Sequence, residues 1–291
     1  MGLIDFLLNL AGLLLWLNWL SIRFDPLARP SAATLAGTLR KAGAPSARRW
    51  MLVAALAGLL VGRAFVYAHI GSATDWTPKL HLGAIALSFR SDFLHLMLAY
   101  SVLSFAVMLA CFYSWLLLLS FLSQREGEGD PFLRLARAHM GPVARWWWPA
   151  RLALPFMVVA ILWLILGTPL GWLGVVPRPG PWLQRCAQAA LLGLSAYLAW
   201  KYLIAGLLAL HLLHSYVHLG NNPIWNFVAT AARSLLKPLR LVPLRVDKMD
   251  FAPLVGIAFI FLLAYAAENG LALFSGIQVP GLFELYLRVS R

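Results

Sequence analysis

Three histidines, His211, His214 and His218, stand at i, i+3 and i+7 in one apolar run and therefore share a helix face. Imidazoles spaced in this way can ligate a haem iron inside a membrane bundle or hold a metal ion, provided a facing helix supplies further ligands. The other histidines, His69, His81, His95 and His139, are scattered near run ends and loops, so no second pair faces the first. The expected role is polar packing between helices, with haem or metal binding as the alternative. No resident cofactor is assigned.

Ionisable residues inside apolar runs are functional candidates because burying an isolated charge in lipid is costly. Arg63 precedes His69 by six residues, a climb of about 9 Å along a helix, so its stem is expected to reach the outer headgroups. Lys201 lies deeper in a long run and is expected to pair with Glu268 on the last span, for structure or for proton or ion movement. The tryptophans Trp146, Trp147 and Trp148 before Pro149 have the placement of an aromatic anchor at the headgroup boundary. The acidic stretch 124–130 reads as a solvated loop. No concentrated set of nucleophiles, bases or metal ligands is present, and no enzymatic reaction is expected.

These residues must be positioned by membrane helices. Of 291 residues, 61% are apolar and only 12% charged, with 13 Trp, and the mean hydropathy is +0.76. An ordinary soluble domain carries about 25% charged residues, so a water-soluble globule is excluded. Crossing a hydrocarbon core of about 30 Å takes roughly 20 apolar residues. Six runs qualify: 3–22, 51–70, 93–121, 152–173, 188–218 and 251–274. The first lacks a basic leading region and a small-residue cleavage site, so it is expected to be a retained helix rather than a signal peptide. Cys111 and Cys186 lie in or beside apolar runs and offer no disulfide framework.

Loops 23–50, 122–151 and 219–250 carry 6, 5 and 5 Lys or Arg. By the positive-inside rule they face the cytoplasm, which puts both termini on the outer side. The net charge of +13 is explained by attraction of these residues to anionic lipid headgroups, about 1 kcal/mol each. No direct nucleic-acid contact is expected, since no recognition motif is present.

The three basic loops share one pattern. An Asx-Pro pair, Asp25-Pro26, Asp130-Pro131 or Asn222-Pro223, is followed by a short basic amphipathic stretch: 38–41, 132–137 or 231–237. Asp or Asn can cap free N–H groups, and proline's missing donor is harmless in the first helical turn, so each stretch is expected to be an interfacial helix. The glycine-led segments 83–90, 174–178 and 276–280 are expected to be hairpin or strand-like pieces on the opposite face. The fold class expected is an all-α membrane protein with about six transmembrane helices in repeated helix pairs, as units 1–92, 93–187 and 188–291 of a single membrane domain.

Residues 205–265 resemble the YggT family, whose chloroplast and cyanobacterial branch is called YlmG. The likeness rests on Asn222, Pro223 and Ile224, the segment Leu235 to Arg240 with Lys237 and Pro238, then Pro243, and Asp250, Phe251, Ala252 and Pro253 opening an apolar helix. This is similar to the family's loop signature, a Pro-x-Arg-x-x-Pro core followed by Asp-x-Ser-Pro, with Ala252 at the serine position. The second unit is a degenerate copy with Asp130, Pro131, Pro142, Arg145 and Pro149. Physically, Pro238 and Pro243 hold the backbone extended around Arg240, and Pro253 suits a first helical turn with Asp250 near its cap. Arg240 and Asp250 are read either as a binding pair on the cytoplasmic surface or as charges that fix helix depth.

The resemblance implies a small integral membrane protein without enzymatic chemistry, of a family associated with osmotic-stress tolerance, cell division, nucleoid distribution and cytochrome b6 haem maturation. The expected function is a scaffold, assembly factor or accessory subunit of another membrane complex. Its expected location is the bacterial inner (cytoplasmic) membrane or an equivalent energy-transducing membrane. The alternatives are a small ion or solute transporter using the repeat interface and a haem-binding membrane subunit.

Overall fold

The computed structural model describes residues 2–24, 45–74, 76–83, 85–122, 143, 146–176, 180–217, 223–237, 245–246, 249–272 and 278–290. Six of the described helices are long and apolar enough to cross a membrane: Gly2–Ser21, Arg49–Thr74, Leu94–Leu122, Trp148–Trp172, Trp182–Tyr216 and Ala252–Asn269. They correspond one for one to the six apolar runs, because run length in a low-charge sequence leaves the backbone no other way to satisfy its hydrogen bonds in lipid. The molecule is an all-α membrane protein, with three short two-stranded pieces among the described residues.

The elements are α1 (Gly2–Phe24), α2 (Pro45–Thr74), β1 (Lys79–Leu82), β2 (Ile85–Ser88), α3 (Leu94–Leu122), α4 (Trp148–Trp172), α5 (Trp182–Ser195), a 3-10 turn (Ala196–Ala199), α6 (Trp200–Tyr216), α7 (Pro223–Leu235), β3 (Arg245–Val246), β4 (Met249–Asp250), α8 (Ala252–Asn269), β5 (Gly270–Ala272), β6 (Gln278–Pro280) and α9 (Leu282–Ser290). They form two compact units, one of Met1–Leu80 with Ser88–Leu109, the other of His81–Leu87 with Ala110–Arg291.

In the first unit α1 packs along α2. Gly12 of α1 admits the ring of Phe105: a Cβ there would lie 2.9 Å from Phe105 Cε2. Tyr67, Phe89 and Met97 are fully buried, and Phe89 N–H closes onto Pro78 O at 2.9 Å.

The second unit is organised along one long helical rod. Residues Trp182–Tyr216 form 35 residues of helix interrupted by the 3-10 turn Ala196–Ala199, about 50 Å at 1.5 Å per residue and so longer than a bilayer core of about 30 Å. Different partners cover its two parts. Helices α4 and α9 pack on α5, while α7 and α8 pack on α6. Close approach of α5 to α4 depends on Gly193, where a Cβ would meet Phe156 O at 2.9 Å. Helix α7 buries Val228, Ala231 and Ala232 against Leu207 and Leu208 of α6 and leaves Arg233 exposed.

The last span ends five residues earlier than the apolar run, at Asn269, because Gly270 turns the chain with φ +84° while its N–H caps Ala266 O. A hairpin follows, with Gly270 opposite Pro280, Leu271 opposite Val279 and Ala272 opposite Gln278. Helix α9 then restarts beside the point where α8 stopped: a Cβ on Gly281 would lie 2.3 Å from Glu268 O and 2.5 Å from Gly270 N. Of the glycine-led segments, the described part of the first falls in the β1–β2 hairpin and that of the third, 278–280, is β6, whereas the described part of the second is a turn at Gly174, φ +72°. The basic stretches expected at 38–41 and 132–137 lie outside the described residues.

Candidate functional site

The first unit holds a buried polar centre assembled from three helices, each supplying two residues at i and i+4: Asp5 and Asn9 on α1, Arg63 and Tyr67 on α2, Tyr100 and Ser104 on α3. Residues four apart lie on one helix face, so each helix turns a polar pair toward the others. Arg63 Nη2 donates to Asp5 Oδ1 at 2.7 Å and to Ser104 Oγ at 3.2 Å, and Nη1 donates to Asn9 Oδ1 at 2.7 Å. Asn9 Nδ2 donates to Ser104 Oγ at 2.9 Å. The Asp5 carboxylate also accepts Tyr67 OH at 2.6 Å and Tyr100 OH at 3.1 Å. Both rings lie against the cation, 5.2 and 5.4 Å from the guanidinium carbon to their centroids.

Arg63 therefore does not extend to the headgroups as its position near a run end predicted. Its side chain is fully buried and turned to Asp5, because a carboxylate and four neutral polar groups stabilise the cation where it stands. The carboxylate, the amide and the three hydroxyl groups were missed in the sequence. The signal was there: a polar residue repeated four positions later in three otherwise apolar helices.

The second unit brings Lys201 and Glu268 together. Lys201 Nζ lies 2.5 Å from Glu268 Oε1, with side-chain exposures of 14% and 31%, and 5.3 Å from the Tyr202 ring centroid. The pair stands where two helices are interrupted. On one side it follows the 3-10 turn, and on the other it occupies the last turn of α8 before Gly270. Tryptophans brace the turn: Trp115 Nε1 donates to Ala199 O at 3.0 Å and Trp200 Nε1 donates to Ser114 Oγ at 2.6 Å. The start of α6 is thereby level with residues 114–115, about 11 Å short of the α3 terminus at Leu122. Tyr197 OH donates to Leu152 O at 2.6 Å. Gly83, at φ +58°, sits against Ser195 directly before the turn, so that a Cβ would lie 2.3 Å from Ser195 Oγ.

The remaining sequence candidates are distributed as follows. The His214 ring stacks on Trp225 of α7 at 5.4 Å and 7°. His211 lies one turn earlier, and His218 is outside the described residues. Among the described residues no group of three or more His, Cys, Asp or Glu is placed to hold a metal. Trp146, Trp147 and Trp148 are exposed, and Arg151 Nη1 donates to Ser120 Oγ at 3.3 Å. Pro223 opens α7 and Pro253 lies in the first turn of α8, whose N-cap Phe251 makes no side-chain cap. Asp250 falls in β4, opposite Arg245. Asn222, Pro238, Arg240 and Pro243 are outside the described residues.

Six described helices long and apolar enough to cross a membrane, with Arg63 paired to Asp5 and Lys201 to Glu268, define a multi-pass α-helical membrane protein. Compared with known proteins, the chain matches no family model, no curated protein and no solved structure.

Proposed function

We propose that this chain is a YggT-like, non-enzymatic integral membrane protein that acts as a scaffold, assembly factor or accessory subunit of a larger membrane complex. The observation that supports this reading is the β5–β6 hairpin. It interrupts a path that is helical on both sides, since α8 packs on α6 before it and α9 packs on α5 after it. Tyr286 of α9 meets Trp163 in the middle of α4 at 6.4 Å, and Gln184 Nε2 of α5 donates to Val289 O at 2.5 Å. The hairpin is therefore flanked along the rod rather than placed at its end, yet Leu271 and Val279 are about half exposed. An exposed strand edge with apolar side chains is a ready template for pairing with another chain. A partner membrane protein seated on this hairpin covers that edge.

On this reading the basic loops face the cytoplasm and anionic lipids, the three-unit repeat widens the contact surface, and nucleic acid is not a direct partner. The test is purification of the tagged native protein in gentle detergent, with mass spectrometry and an absorption spectrum on the same sample. A stoichiometric membrane partner, photo-crosslinked from a probe at Leu271, is the expected result. A lone monomer, with an unchanged cellular phenotype on Arg240→Glu, would sink the proposal. A Soret band would move the reading to a haem-binding subunit.

A further inference from the structure

We infer that Glu268 and the C-terminal end of α8 form a binding site for a small monovalent metal cation, Na+ or K+, which the ammonium of Lys201 occupies in this structure. The inference stands on the geometry of this pair and is independent of the accessory-subunit reading. A glutamate in the last turn of a helix adds its charge to the negative end of the helix dipole, an arrangement unfavourable by itself and favourable only with a cation beside it. Here the cation is supplied by a side chain from another helix, at 2.5 Å.

Glu268 Oε1 is the oxygen that faces the ammonium, and it stands in the last turn of α8. The α8 end turns at Gly270, and Tyr265 O and Ala266 O accept Asn269 Nδ2 and Gly270 N–H, which fixes the last turn around the carboxylate. The C-terminal end of an interrupted helix, with its carbonyls and a carboxylate, is the donor set that coordinates Na+ within membranes. The opposing helix is interrupted at the same level by Ala196–Ala199. Glu268 retains 31% exposure beside the ammonium, and the Tyr202 ring 5.3 Å from Nζ gives the ammonium a second favourable surface when it leaves the carboxylate.

The experiment uses the full-length protein in detergent. Thermal unfolding is measured in NaCl, KCl and choline chloride at equal ionic strength for wild type, Lys201→Met and Lys201→Met/Glu268→Gln. Removing the ammonium exposes the site, so Lys201→Met is expected to unfold about 5 °C higher in Na+ or K+ than in choline at a hundredfold excess over Kd. The double variant is expected to lose that difference. Equal unfolding temperatures for a folded Lys201→Met in all three salts would overturn the inference. Should the Met variant not fold in choline, Lys201→Gln keeps a donor for the carboxylate and is read in the same way. Folding of either variant only when Na+ or K+ is present supports the site, and failure of both in every salt refutes it, because a metal ion would then be unable to replace the ammonium.

Discussion

Arg63 and Asp5, 58 positions apart in sequence, meet at 2.7 Å with the arginine side chain fully withdrawn from the surface. The carboxylate that neutralises the guanidinium also gathers the hydroxyls of Tyr67 and Tyr100, so one acidic residue near the start of α1 ties down α2 and α3.

Removing that acid leaves a buried cation without its counter-charge. Asp5→Ala is expected to destabilise the protein by roughly 3–5 kcal/mol, seen as a lower unfolding temperature in detergent. The double variant Asp5→Ala/Arg63→Met is expected to recover much of the loss, since neither charge then remains buried. Equal stability of wild type and Asp5→Ala would show that the pair holds nothing together.

The two tyrosines should rank by geometry. Hydrogen bonds to charged groups contribute about 1.5–3 kcal/mol. Tyr67→Phe, which removes the 2.6 Å bond, is expected to cost more than Tyr100→Phe, which removes the 3.1 Å bond. Unfolding of both variants, alone and combined, checks the order and reveals whether the bonds act as one network.

At the β1–β2 turn, Gly83→Ala is expected to cost about 2 kcal/mol or more, because φ is positive and the new methyl meets Ser195. Combining it with Ser195→Gly removes the side-chain clash but leaves the Ser195 O contact at 2.9 Å and the dihedral strain, so rescue should be partial. Expression level and unfolding temperature of the three variants give the comparison.

His214 and Trp225 link α6 to α7 by ring stacking. Trp225→Leu is expected to weaken α7 docking by about 1 kcal/mol, measured as faster proteolysis between the two helices. His214→Ala should act in the same direction. If the pigment reading were correct, His214→Ala would instead abolish a Soret band.

The six spans were legible because each is a long apolar run with few charges, a property that survives any detail of packing. The Lys201–Glu268 pair was legible for a similar reason: a cation and a carboxylate inside apolar segments have few partners to choose from. The place of Arg63 was not legible from its distance to the run end, because that distance carries nothing about the polar residues that face it. Asp5 and Asn9, Arg63 and Tyr67, and Tyr100 and Ser104 form a pattern visible only when three helices are read for the same four-residue spacing. The 3-10 turn at Ala196–Ala199 had no glycine or proline to announce it, and it is recognised only by its tertiary braces from Trp115 and Ser114. The early end of α8 did carry a signal, Gly270, masked by the apolar residues that continue after it.

The buried centre of the first unit also sets an order of events during synthesis. Ser104 follows Arg63 by 41 positions, so the first two helices leave the ribosome well before the hydroxyls of α3 exist. During that interval Asp5 and Arg63 have each other but lack the donors and acceptors that complete their shell. Insertion machinery releasing helices singly would deliver a half-solvated ion pair to the lipid. The first three helices are therefore expected to partition into the bilayer as a group: a nascent chain arrested before Tyr100 should still crosslink to the translocation channel, and one extended far enough past Leu122 for α3 to clear the ribosome should not.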